Sequence, residues 1–148
     1  MHWSLYLRKQ VVYVPTTGKL DDEPVYRKME PVDVVPLSKT DDVRRALLSA
    51  IARGNPSAPR YTPGNFPPPV VLKYAGVKSW SAFERGTSTW GINESNGAFQ
   101  IVGYRRHPTK GYSEQDPQQK IEFLPGTSVD AVIDRMISIL QEAARNNA

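Results

Sequence analysis

The chain has 148 residues, no cysteine and a formal net charge of +4, with 39% hydrophobic and 23% charged side chains. That length fits one domain with its own core, residues 1–148, and the absence of thiols excludes disulfides, thiolate nucleophiles and thiolate metal sites. No run approaches the roughly 18 apolar residues that span a bilayer, and the opening Met1-His-Trp-Ser-Leu-Tyr-Leu7 lacks the basic-then-apolar pattern of a secretion signal, so a soluble cytoplasmic protein is expected.

Trp3 to Leu7 and Val12 to Val14 alternate with period two, which predicts a hairpin across Arg8-Lys-Gln10, closed by Pro15. Thr16 to Glu23 is polar and reads as a link. Pro24 to Met29 suggests a ragged strand, and Val32 to Val35 a further strand ended by Pro36. Thr40 to Arg53 is predicted as a helix. Thr40 is placed to cap it, Asp41 and Asp42 suit its positive end, and Gly54 suits the left-handed turn after it. Val43, Ala46, Leu47, Ala50 and Ile51 share one face, which leaves Arg44, Arg45 and Arg53 largely on the solvated side.

Asn55 to Pro69 holds too many prolines for a helix or a central strand. It fits either a polyproline ligand or an ordered connector pinned by Tyr61 and Phe66, and the connector is the simpler reading. Val70 to Tyr74, an apolar run, is predicted as a strand. Ser79 is placed to cap a short helix, Trp80 to Arg85, stopped by Gly86, with Trp80 and Phe83 on one face. Thr87 to Asn93 and Ala98 to Arg105 form a hairpin through Asn96-Gly97, the strongest short turn signal in the chain. Both faces of the second strand are apolar, which places it inside the sheet. Arg106 to Gln119, with Pro108, Gly111 and Pro117, is predicted as a polar loop, and Lys120 to Leu124 as the last strand. Ser128 to Arg145 is the clearest helix: Thr127 or Ser128 caps it, and Val129, Val132, Ile133, Met136, Ile137, Leu140 and Ala144 form one apolar stripe.

The chemistry of these residues is sparse. His2 and His107 have no ligand-spaced partner, so no metal or cofactor is expected. No phosphate loop, dinucleotide fingerprint or nucleophile elbow occurs. Glu84 and Glu94 flank the aromatic-rich stretch Val70 to Arg106, but nothing in their spacing names a reaction, so an enzyme is not expected. Residues 70–112 are net basic and residues 113–148 net acidic. Lys73, Tyr74, Lys78, Trp80, Arg85, Trp90, Tyr104, Arg105 and Arg106 have the composition of a base-stacking, phosphate-holding face, which keeps a nucleic-acid module as the alternative. Aromatic rings and arginines on a small rigid sheet are also what protein hot spots use. That reading selects Arg85, Tyr104, Arg105, Arg106 and Asp116 as partner-binding candidates.

Lys73 to Ile92 (KYAGVKSWSAFERGTSTWGI), the stretch EPVDVVPLS before the first helix and the helix segment VIDRMISIL resemble small bacterial immunity proteins of contact-dependent growth-inhibition systems. The resemblance implies a cytoplasmic protein that binds and neutralises a cognate toxin domain, often a nuclease, without catalysis. On that reading the acidic side Asp116 to Glu142, or the acidic run Asp21 to Glu23, would meet a basic partner; alternatively, the basic face would meet an acidic one. The predicted architecture is a single α+β domain: a mostly antiparallel sheet of about five to seven strands, with two main helices packed on one face.

Overall fold

The computed structural model describes residues 1–109 and 113–147. Six strands and four helices follow in chain order. They are β1 (His2–Arg8), β2 (Val11–Lys19), β3 (Tyr26–Pro36), α1 (Thr40–Arg53), α2 (Val71–Ala75), α3 (Trp80–Glu84), β4 (Thr87–Ser95), β5 (Ala98–Arg106), β6 (Ser113–Glu122) and α4 (Val129–Asn146). The strands make one sheet in the order β3-β2-β1-β4-β5-β6, with every neighbouring pair antiparallel. The expected α+β class is therefore what the structure shows, and β5 lies inside the sheet.

Alternation along the strands separates two cores. Trp3, Leu5 and Leu7 of β1, Val12 and Val14 of β2, Trp90 and Ile92 of β4, and Ile101 of β5 point to one face. There they meet Val43, Leu47 and Ala50 of α1 and the stripe of α4 from Val132 to Ala144. Both main helices thus cover this face. The apolar side chains they remove from water are each worth roughly 1.5–3 kcal/mol. Ser128 caps α4 by accepting a hydrogen bond from the Ala131 amide at 3.2 Å. Arg44 of α1 pairs with Asp134 of α4, which ties the two helices at their solvent side. On the opposite face Tyr6 and Tyr13 pack with Phe83 of α3 and with Val71 and Leu72 of α2.

Several elements differ from their sequence expectation. Pro15 does not close the first hairpin. It lies within a longer β2, and the ladder to β3 changes register between Pro15 and Thr16. Such a bulge is where a strand accepts a residue with no amide hydrogen. The two predicted segments after Glu23 are one strand, β3. Val70 to Tyr74 is not a strand: Val71–Ala75 is one turn of helix, stopped by Gly76 at φ 69 and ψ 29. A five-residue run, apolar but for Lys73, has no period to read, and here the positive-φ glycine decides. Thr40 does not cap α1. Lys39 occupies that position without a side-chain bond, and Gly54 follows the helix at φ 66 and ψ −141. The predicted polar loop is partly β6, which begins at Ser113 and runs to Glu122 with a register shift opposite Val102 and Gly103. An edge strand with polar side chains on both faces gives no hydrophobic alternation to detect. Gly111 of that predicted loop lies outside the described residues. The Asn96-Gly97 turn forms as expected, with positive φ at both residues, and so does the Ser79 cap, whose hydroxyl accepts from the Ala82 amide at 3.1 Å.

Residues 55–69 form the ordered connector. Asn55 anchors its start. Its side-chain amide donates to the carbonyls of His2 at 2.7 Å and Thr17 at 2.9 Å, and its oxygen accepts from the His2 amide at 3.2 Å. β1 and β2 pair directly only from Tyr6 to Arg8 and Val11 to Tyr13. Beyond that they diverge, and Asn55, with the Thr17 hydroxyl on the Ser4 amide at 3.1 Å, takes up backbone groups that would otherwise be buried without partners. The connector then passes Gly18 closely: a Cβ there would lie 2.9 Å from the Pro56 carbonyl oxygen.

Candidate functional site

The connector, α2 and the outer strand β3 do not close on one another. They bound an open cleft of about 1040 Å³, at the upper end of the roughly 300–1,000 Å³ usual for ligand pockets. Residues Tyr26 to Glu30 of β3 form one wall, Tyr61 and residues 66–69 of the connector the second, and Val71 to Lys73 with Trp80 the third, with Tyr6 at the floor. Phe66, Tyr74 and Trp80 are exposed large hydrophobic side chains at or beside the mouth. β3 is an outer strand of the sheet, so its second edge has no strand beside it.

Each ring is held by its neighbours. Trp80 stacks tilted on Phe83 at 5.3 Å between centroids and meets Tyr6 edge-on at 6.0 Å. Tyr61 and Phe66 lie 6.1 Å apart. The Arg27 guanidinium sits over both, 5.4 Å from the Tyr61 centroid and 4.9 Å from that of Phe66. Cation–ring contacts of this kind contribute about 0.5–2 kcal/mol each, and they pin the connector to β3. Arg8 fixes α3 from below, donating to the carbonyl of Arg85 at 2.6 Å.

The charges of the cleft are unequal. Glu30 is satisfied: Lys73 lies 2.8 Å from it, and the Tyr74 hydroxyl donates to both its oxygens at 2.6 and 2.9 Å. These contacts, Lys73 first, hold its carboxyl below the usual range. Arg27 and Lys28 have no such partner. Neither has a carboxylate within ion-pair distance among the described residues. The Arg27 Nε is buried without a hydrogen-bond partner, while Lys28 is exposed. Burial pushes the Tyr6 hydroxyl up. The result is an apolar, aromatic cleft with two uncompensated cations.

The partner-binding residues selected from the sequence lie elsewhere, around the end of β5. Arg105 pairs with Glu114 at 3.1 Å and Asp116 at 3.7 Å, and Arg106 with Glu84 at 3.7 Å. Asp116 also accepts from the Gln118 amide at 3.0 Å. Arg85 is exposed next to Glu84, while Tyr104 is half-buried in the sheet and its hydroxyl is pushed up by burial. The structure brings Arg105 and Asp116 together in cross-strand ion pairs with Glu114, while Arg106 pairs with Glu84 of α3, so each charge faces an opposite one within the chain. Of the wider aromatic and basic set, Trp90 is in the main core and Lys73 is paired with Glu30, so the set does not form one continuous face. The acidic run Asp21 to Glu23 is engaged with Arg60 and Ser57 of the connector. His2 is bonded to Asn93 and Ser4, and no group of three metal-ligating side chains occurs among the described residues.

Sequence reading found Tyr61, Phe66, Trp80 and Lys73 as residues but did not join them to Tyr26, Arg27 and Lys28. The basic-aromatic triplet Tyr26-Arg-Lys28 was the available signal. Its meaning depends on a connector that begins some thirty residues later in the chain.

No family model matches the chain, and no curated protein matches it. A solved structure that is similar is that of a protein of unknown function from Neisseria meningitidis, with a TM-score of 0.63 and 13% identity over 97% of this chain and 95% of that one. At that identity the likeness concerns the fold alone, but it extends over nearly all of both chains.

Proposed function

We propose that this protein is a cytoplasmic inhibitor that binds and neutralises a cognate bacterial toxin domain by occlusion, without catalysis of its own. The observation that supports binding is the aromatic cleft. Exposed Phe66, Tyr74 and Trp80 surround a concave apolar surface flanked by arginine and lysine, the composition in which interface energy concentrates. The toxin as partner follows from the resemblance of Lys73 to Ile92 and the VIDRMISIL helix to growth-inhibition immunity proteins. Absence of a membrane-spanning helix among the described residues accords with this reading.

The test is protection. Cells producing the toxin domain encoded beside this gene should survive when this chain is co-produced, and the two purified proteins should elute as one stoichiometric complex. A toxin domain that kills equally with and without the chain, and that elutes separately from it, would refute the proposal.

A further inference from the structure

We infer that the cleft is the docking surface and that its occupant is an extended, acidic segment of the partner polypeptide. This deepens the inhibitor reading and rests on it. Three observations lead there. First, Arg27 and Lys28 border the cleft without carboxylates, while the neighbouring Lys73 is already neutralised by Glu30. Arg27 is half-buried with its Nε unpartnered, which is costly, and a carboxylate brought by a ligand removes that cost; Lys28 is exposed and adds an unpaired positive charge beside it. Second, the wall that carries them is β3, the outer strand of the sheet, with no further strand beside it among the described residues, the kind of edge to which a peptide can add as a strand. Third, the opposite wall is apolar and aromatic, with Phe66 53% and Trp80 37% exposed.

The register sharpens the ligand. Successive residues of a strand point to opposite sides. Arg27 turns toward Tyr61 and Phe66, and Lys28 shares the other side of the strand with Tyr26, whose ring meets His2. Two consecutive acidic residues in an added strand alternate in the same way, so a pair of adjacent carboxylates flanked by apolar side chains matches both cations at once. A long polyanion fits less well, because the three acids Asp21 to Glu23, which precede the strand, are only partly neutralised by Arg60 and would repel its further charges.

The probe is a fluorescein-labelled eight-residue peptide with a central Asp-Glu pair between leucine and phenylalanine. It is compared by fluorescence anisotropy with an Asn-Gln version, a Lys-Lys version and a labelled eight-nucleotide single-stranded RNA. The full chain should bind the acidic peptide at least tenfold more tightly than the other three. R27Q combined with K28Q should abolish that preference while the variant keeps the wild-type circular-dichroism spectrum, its thermal midpoint lowered only by the lost cation–ring contacts, whereas R105Q combined with R106Q should leave the preference intact. K28E alone, which leaves the Arg27 ring contacts in place, should weaken binding of the acidic peptide and favour the Lys-Lys peptide, which keeps the test decisive if the neutral double variant folds poorly. Equal binding of acidic and neutral peptides, no binding of the acidic peptide, or tighter binding of the RNA would overturn the inference. Protection assays separate the two levels. If wild type protects cells and R27Q with K28Q protects equally, the cleft assignment fails while the inhibitor reading stands. If wild type gives no protection, the inhibitor reading fails and the peptide preference alone decides what the cleft takes.

Discussion

His2 shows how much one side chain can be asked to do at a strand end. Its Nδ1 lies 2.5 Å from the Asn93 oxygen and its Nε2 3.0 Å from the Ser4 hydroxyl, and its ring tilts against Tyr26 at 5.3 Å. Burial lowers its pKa below 6.5, Lys28 and the chain terminus push the same way, and the Asn93 bond opposes them. The folded state therefore holds fewer protons at His2 than the unfolded chain does between the lowered value and 6.5. Stability from this residue is complete above pH 6.5 and is lost as pH falls through the lowered value. Thermal midpoints measured from pH 7.5 down to pH 5 should drop more for wild type than for His2→Gln. Parallel curves, or a wild type that gains stability on acidification, would show the assignment to be wrong. The sequence placed His2 only as a histidine without metal partners. Its burial depends on Asn93, 91 residues away, and on the paired edge of β4.

At the scale of elements, what was legible followed from period and caps. α4 was readable because its apolar stripe repeats over several turns, and the β4–β5 hairpin because Asn-Gly fixes its turn. α2 was misread because five residues, four apolar and Lys73, are too few to show a period, and β6 because its stability comes from pairing with β5 and from Arg105–Glu114, not from its own pattern. The connector was identified by its prolines, but its path was not. Gly18 is the place where that path is tightest. A Cβ at this position would lie 2.5 Å from the Met29 sulfur, 2.9 Å from the Pro56 carbonyl oxygen and 3.0 Å from the Ala58 Cβ. The thioether can turn aside, but the backbone oxygen cannot move without shifting the connector. Gly18→Ala should therefore cost about 1–3 kcal/mol, read as a lower urea midpoint with an unchanged slope. A variant as stable as wild type would mean that the connector is free to move away from β2.

At the scale of the whole molecule, the sheet separates two surfaces of different character. One is the corner at Arg105, Arg106 and Asp116, where charges are matched within the chain. Exposed pairs of this kind are worth about 0–1 kcal/mol, and a partner that engages them must first compete with Glu84 and Glu114. The other is the cleft, where rings are exposed and Arg27 and Lys28 are unmatched. Composition located both cations and aromatics but could not say which of them would be neutralised, because that is decided by cross-strand register and by a proline-rich segment folding back on an edge strand. The decisive measurement is the affinity of the purified toxin domain for four versions of this chain by titration calorimetry: wild type, Phe66→Ala, Trp80→Ala, and Arg105→Gln combined with Arg106→Gln. Hot-spot truncations cost about 2 kcal/mol or more, so each cleft variant should bind at least tenfold more weakly, while the corner variant stays within about threefold of wild type. Loss of affinity in the corner variant with both cleft variants binding like wild type would contradict the cleft as the recognition surface.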